Sequence, residues 1–122
     1  MSSEPLPSDG PLLSMEVRPV ERGVVVDVAG EVDMLTTPEL RAGLVEQLER
    51  VPERLVVDMS RVRFLGSSGL AVLVEALETA RRTGTALSLV AGSRSVLRPL
   101  RSTGLAELFA THPDLDAALA AG

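Results

Sequence analysis

The sequence predicts one small α/β domain, a mixed sheet of four to five strands with helices mainly on one face. Three observations lead to this fold class. The chain of 122 residues is long enough for one hydrophobic core. Strand-like and helix-like apolar patterns alternate along it, after two strand-like segments at the start. Strands separated by helices pair in parallel through right-handed crossovers, whereas the first two segments suit an antiparallel hairpin.

Four segments have the apolar patterns of strands. The first alternates, the second is rich in valine, and Gly23 lies in the predicted turn between them. The other two are short apolar segments, each preceded by a helical pattern, and we expect them to be parallel. In chain order, the predicted strands lie at 13–17, 24–28, 55–57 and 87–89.

The first predicted helix has two alternative starts. Thr36 with Glu39 fits a capping box, and Thr37 before Pro38 places a proline at the first helical position. One helical face is then apolar, and Pro52 ends the helix. The apolar residues of this face are Leu40, Leu44, Leu48 and Val51.

Three more helices are predicted downstream. The second has apolar residues at helical spacing from Leu70 to Leu77, with Leu73 on the buried face and Gly84 as the C-cap. Shorter apolar patterns predict the third helix at 96–104 and the last at 115–119.

The composition argues against several classes of function. The net charge of −5 disfavours nucleic acids and anionic membrane surfaces as partners, because both attract basic proteins. The chain has no cysteine, and its acidic residues show no metal-ligand spacing, so we expect no metal site. No apolar run is long enough to cross a bilayer, so we expect a cytoplasmic protein without direct membrane insertion.

The first 11 residues differ in composition from the rest. They are rich in serine, proline, glycine and acidic residues, and they bury too little apolar area to offset the entropy of ordering. We therefore expect a disordered tail at 1–11 and the folded domain at 12–122.

Enzyme motifs are incomplete in this chain. The turn Gly66-Ser67-Ser68-Gly69 lies between a predicted strand and the second helix. A nucleophile elbow would need glycine at position 70, which is leucine, and a phosphate-binding loop would need a lysine, which the chain lacks. The sole histidine, His112, lies in a predicted turn. We therefore expect that the chain has no catalytic residue, binds no cofactor and is not an enzyme.

The local pattern leaves two interpretations of the serine turn, residues 66–69. Serine is a common N-cap, so either serine suits the start of a helix. Alternatively, the turn is a binding site, because open α/β sheets carry functional loops at the carboxyl ends of their strands. The free amides at the N-terminus of a helix also attract anions.

Two blocks of the sequence resemble the signature of STAS domains, the family of sulphate-transporter and anti-sigma-factor-antagonist domains. The longer block, 58–73, reads DMSRVRFLGSSGLAVL. It is similar to the family's pattern of a strand, an Asp, and then Asp-Ser-Ser-Gly-Leu at the start of a helix. The shorter block, 29–33, reads AGEVD and is similar to the family's G-E-L-D. The resemblance covers residues 12–120.

The resemblance implies an anti-sigma factor antagonist. In free-standing bacterial members, the partner is an anti-sigma factor that is also an ATP-dependent serine kinase. It phosphorylates the first serine of the motif and thereby inactivates the antagonist. That serine corresponds to Ser67, with Ser68 as its neighbour, and a phosphatase would restore the active form. The domain itself would need no cofactor, because ATP belongs to the kinase.

One departure from the family's motif concerns phosphorylation. Gly66 stands where the family usually has Asp, whose carboxylate could help to orient the serine hydroxyl for the kinase. The hydroxyl that would accept the phosphate is still present.

The predicted partner-binding residues lie in the serine turn and in the segments that lead to it. Polar residues after the second strand are interpreted either as solvated loop or as a partner contact. The two arginines before the turn are interpreted either as solvated charges or as contacts to an acidic partner or the phosphate. The whole predicted set is Glu31, Asp33, Met34, Arg61, Arg63, Gly66, Ser67, Ser68, Gly69 and Leu70.

An alternative function belongs to another class. STAS-like domains also occur as constitutive subunits of lipid-transport ABC complexes or sensory assemblies, which bind without a kinase. Phosphorylation of the serine turn distinguishes the two functions.

Overall fold

The predicted hairpin forms one side of the sheet. In the computed structural model, which describes residues 12–121, the first strand pairs antiparallel with the second, and the other pairs are parallel. Neighbouring strands in the sheet follow one another in chain order. The predicted tail at 1–11 lies outside the described residues. The strands are β1 (Leu13–Val20), β2 (Gly23–Val32), β3 (Arg54–Leu65), β4 (Ala86–Val90) and β5 (Ala110–His112).

The helices confirm the predicted layering. Three of them pack their apolar residues into the main core on one face of the sheet, and the last packs against the other face. A short 3₁₀ turn, Leu105–Glu107, precedes β5. The helices are α1 (Thr37–Leu48), α2 (Ser67–Thr83), α3 (Arg94–Ser102) and α4 (Leu115–Ala120).

The valines of β2 show why both faces are buried. Val24, Val26 and Val28 belong to the main core, whereas Val25 packs with Ala118 of α4 on the opposite face. This follows from the strand geometry, in which successive side chains point to opposite sides. A valine-rich segment without alternation is therefore the pattern of a strand that is covered on both faces.

The N-cap of α1 is one of the two predicted residues, but its hydrogen bonding and the end of the helix differ from the prediction. Thr36 is the N-cap residue, but its hydroxyl accepts a hydrogen bond from the Asp33 N–H at 2.9 Å and donates to the Glu31 carbonyl at 2.8 Å. Within the described chain it makes no capping bond, so the capping-box prediction is wrong. Val51 lies beyond the helix in a left-handed conformation, with φ of 49°, and its side chain is half exposed.

An ion pair joins α1 to α2 on the surface. Arg41 donates to Glu75 through Nε at 3.0 Å and through Nη2 at 3.2 Å. This hydrogen bonding holds the pKa of the Glu75 carboxyl below its usual value. The two helices are thereby linked outside the core as well as within it.

The last strand was not predicted. β5 pairs in parallel with β4, and it contains His112, which was expected in a turn. Three residues are too few to show a strand period. The turn follows the strand instead, and Asp114 caps α4 by accepting a hydrogen bond from the Ala117 N–H at 2.8 Å.

We predict that Leu73→Ala destabilises the domain by about 2–5 kcal/mol, because its side chain is fully buried between α2 and the sheet. Val45→Ala in α1, where the valine is 44% exposed, is the control and should change stability by less than about 0.5 kcal/mol. Chemical unfolding of both variants tests this. A loss below about 1 kcal/mol for Leu73→Ala would contradict the burial of this side chain in the core.

Candidate functional site

The serine turn is fixed by backbone hydrogen bonds at the carboxyl ends of two strands. Gly66 is extended, with φ of −89° and ψ of 177°, and it links β3 directly to α2. Its N–H donates to the Val32 carbonyl at the end of β2, at 2.9 Å. Its carbonyl accepts from the N–H groups of Gly69 and Leu70, each at 3.1 Å. The helix start is therefore held by both strands.

Gly69 permits the close approach of α2 to the sheet. A Cβ at this position would lie 2.5 Å from Val32 Cγ1 and 2.8 Å from Leu65 Cδ1, closer than packed carbon atoms tolerate. Leu70 is also buried, at 6% exposure. Both residues pack inside the domain, and their predicted contact with a partner remains a prediction.

Ser67 lies at the exposed end of this arrangement. It is the first residue of α2, after the N-cap Gly66, and Ser68 is the second. Interpretation of either serine as the N-cap is therefore wrong. Among residues 12–121, the two hydroxyls have no hydrogen-bond partner. The backbone amides of Ser67 and Ser68 have no acceptor among residues 12–121, and the first turn of the helix contains no acidic side chain, so the local field favours a negative charge near Ser67.

The loop after β2 folds on itself beside the turn. The Asp33 carboxylate accepts hydrogen bonds from the N–H groups of Leu35, at 2.9 Å, and Thr36, at 3.1 Å. Asp33 therefore stabilises the loop, whatever it contributes to binding. Met34 and Leu35 point outward and are 80% and 79% exposed.

A third exposed apolar side chain lies against the serine turn. Phe64 pairs with Glu31 in the sheet and is 51% exposed, and a Cβ on Gly66 would lie 3.2 Å from its Cε2 atom. We call Met34, Leu35 and Phe64 the apolar patch. Sequence reasoning included Met34 but missed its neighbour Leu35 in the same loop. It also missed Phe64, because an apolar residue near the end of a strand is usually assigned to the core.

The two arginines before the turn have separate positions. Arg63 lies 4.0 Å from Glu31, and this exposed pair borders the same edge of the sheet. The Arg61 guanidinium contacts Asp27 at 3.3 Å, and Arg18 reaches the same carboxylate at 3.2 Å. Asp27 follows Val25 by two residues, so it lies on the sheet face opposite α2. Arg61 is therefore directed away from the serine turn.

The order of the elements, the serine turn and the neighbouring loop are the features of a STAS domain. The family model described as "STAS domain" matches residues 14–118. The chain belongs to the STAS domain family.

Similar proteins were found both by sequence and by structure. The chain is 36% identical over 70 residues to the anti-sigma-F factor antagonist RsfA of Mycobacterium tuberculosis, and this match spans 57% of the chain and 55% of RsfA. It is 33% identical over 97 residues to RsfB of the same organism, with the same description, covering 78% of the chain and 77% of RsfB. A crystal structure of an anti-sigma factor antagonist from Mycobacterium paratuberculosis aligns with a TM-score of 0.80 and 35% identity, covering 89% of this chain and 92% of that one.

Among residues 12–121, no helix has both the length and the apolar character needed to cross a membrane.

We predict that substitutions at the two glycines of the turn differ in their effect on stability. Gly69→Ala should lose about 1–3 kcal/mol of stability, because its methyl group overlaps two buried side chains. Gly66→Asp should change stability by less than about 0.5 kcal/mol, because an aspartate N-cap gains a few tenths and the half-exposed Phe64 ring has room to shift. Urea unfolding measures both. Equal losses would show that both positions are packed to the same degree.

Proposed function

We propose that this chain is an anti-sigma factor antagonist, a regulatory binding protein that acts in the cytoplasm. In this proposal it binds an anti-sigma factor through the serine turn, the apolar patch and the Glu31–Arg63 pair. The partner is also an ATP-dependent serine kinase, and phosphorylation of Ser67 ends the binding. A phosphatase returns the chain to its binding form.

The observation that carries this proposal is the setting of Ser67. Its hydroxyl is exposed and unpartnered among the described residues, at the start of a helix, with three exposed apolar side chains in the adjoining segments. Apolar side chains left in solvent favour a protein partner, because their burial in an interface is stabilising. A hydroxyl at the border of such a patch is accessible both to a partner and to a kinase.

The relatives support the same proposal. RsfA and RsfB are each named as an anti-sigma-F factor antagonist, and the aligned crystal structure is also that of an anti-sigma factor antagonist. The matched region of RsfB covers most of both chains.

A phosphate on Ser67 would affect folding and binding differently. It adds about −1.5 to −2 charges at neutral pH. In the free domain, this charge meets the N-terminus of α2, where an anion gains about 0.3–1 kcal/mol. In a complex, the same charge must be desolvated against a surface that fits a hydroxyl, and an imperfectly paired charge there costs about 2–5 kcal/mol. The interface cost is larger, so the net effect is dissociation.

Gly66 changes the surroundings of the Ser67 hydroxyl but leaves the hydroxyl available to accept a phosphate. An aspartate at the N-cap would accept hydrogen bonds from the first-turn amides and would repel an incoming phosphate. With Gly66 these amides remain available to the phosphate, although no carboxylate helps to orient the hydroxyl. We therefore expect phosphorylation to be slower than with an aspartate at position 66, and the attached phosphate to be stabilised by the free amides.

We predict that Ser67 is the phosphorylated residue. Incubation with the cognate kinase and ATP should add one phosphate, which Ser67→Ala abolishes and Ser68→Ala retains. Intact-mass spectrometry counts the phosphates, and peptide fragmentation locates them. Phosphate retained in Ser67→Ala and lost in Ser68→Ala would mean that the motif is shifted by one residue. Absence of phosphate from the unmodified chain would favour the constitutive-subunit alternative.

We predict that phosphorylation weakens partner binding at least about thirtyfold, the equivalent of about 2 kcal/mol, while the melting temperature stays unchanged or rises. Ser67→Ala should bind like the unmodified chain, and Ser67→Asp should reproduce the loss only in part because it carries less charge. Titration calorimetry with the anti-sigma factor and thermal melts of each form measure both effects. Equal affinity of the phosphorylated and unmodified chains would refute the switch, and unfolding on phosphorylation would make Ser67 a structural residue.

A further inference from the structure

Positive charge is concentrated in one segment of an otherwise acidic chain, and three of its arginines lie on α3. Residues 79–106 contain five arginines and no aspartate or glutamate, whereas the remaining residues hold all 17 acidic residues. Arg94, Arg98 and Arg101 belong to α3 and are exposed. Among residues 12–121 these three form no ion pair, whereas Arg41 and Arg61 each contact a carboxylate. Within this described part of the chain, the positive charge of α3 is therefore left without a counter-charge.

The three arginines lie in a row on one side of the helix. At 3.6 residues per turn they fall within an arc of about 60°, with spacings of about 6 Å and 4.5 Å along the axis. The buried residues Val96 and Leu100 anchor the opposite side of α3 in the core. The row borders an open groove of about 590 Å³, lined by Gly92, Arg94, Leu97, Arg98, Arg101 and Ser102.

We propose that this groove, the α3 groove, binds an acidic polypeptide segment. Each guanidinium can hold a carboxylate through two parallel hydrogen bonds, and Leu97 supplies an apolar contact between them. The cations are spread along a line, so they match several carboxylates in succession. Carboxylates four and three residues apart on a partner helix have the same axial spacing as the arginines.

Charge complementarity favours a short acidic segment over larger polyanions. A nucleic acid or an anionic bilayer would extend beyond the groove and meet the acidic remainder of the chain, which repels it. A polypeptide segment can confine its charges to the groove. A single phosphate would be contacted by one or two of the arginines and would leave the rest without a partner.

The α3 groove is distinct from the serine turn but begins at the same edge of the sheet. The Ser95 hydroxyl near the start of α3 donates to the Val62 carbonyl of β3 at 2.8 Å, which ties the helix to the outer segment of that strand. A partner that covers this edge can therefore contact both surfaces, and the α3 groove does not depend on the phosphorylation of Ser67.

The test uses a short fluorescent oligoglutamate peptide, with binding followed by anisotropy at low ionic strength. The groove variant carries Arg94→Gln, Arg98→Gln and Arg101→Gln. The control carries Arg50→Gln, Arg81→Gln and Arg82→Gln, which change the net charge equally at exposed positions outside the groove lining. We expect the groove variant to bind at least about tenfold more weakly and the control to stay within about twofold of the unmodified chain. Circular dichroism melts establish that both variants fold.

Several outcomes would overturn the proposal. Absence of peptide binding by the unmodified chain, or an equal loss in both variants, would remove the groove as a specific site. Competition experiments with inorganic phosphate, short duplex DNA and phosphatidylserine vesicles identify other occupants. If any of these binds through the same arginines more tightly than the peptide, the groove is not a site for acidic polypeptides.

Discussion

The close approach between the first turn of α2 and the ends of β2 and β3 is the constraint on which the geometry of the serine turn depends. Gly69 lies so near Val32 and Leu65 that no Cβ fits between them, and the Gly66 N–H is bonded to the Val32 carbonyl. Because the inner side of the turn is packed in the core, the position of its exposed side is determined as well. The exposed position of Ser67 is thus a consequence of packing, and its hydroxyl is oriented by the residues that hold the turn against the sheet.

Much of the fold could be predicted because its elements follow simple periodicities. The valine-rich β2 and the helical spacing in α2 show where the chain is buried. β3 continues to Leu65, beyond its predicted apolar segment. The outer half was not predicted because it mixes charged and apolar residues and contains register irregularities opposite β2. β5 pairs through only three residues, and pairing with an existing strand, rather than its own sequence, determines its conformation.

The site was predictable where a local motif specifies it and unpredictable where the side-chain direction depends on tertiary structure. The serine turn lies where the motif placed it, between strand and helix. Arg61 was expected beside this turn. It pairs with Ala29, and the register of β2 and β3 is irregular between Asp27 and Ala29, so counting alternate residues does not give the face on which Arg61 lies. Phe64 was missed because only the assembled surface shows that its ring is left half exposed. Sequence periodicity describes what a strand buries better than what it presents.

The two edge strands have a consequence for the behaviour of the protein in concentrated solution. An exposed strand edge offers unpaired backbone groups to other chains, and long flat edges promote aggregation. Here β5 is three residues long and is followed by Pro113, so it gives an added strand little to pair with. β1, at the other edge, contains Pro19, which has no N–H to donate, and the charged residues Glu16 and Arg18. Both edges of the sheet are therefore poor templates for pairing with a further strand.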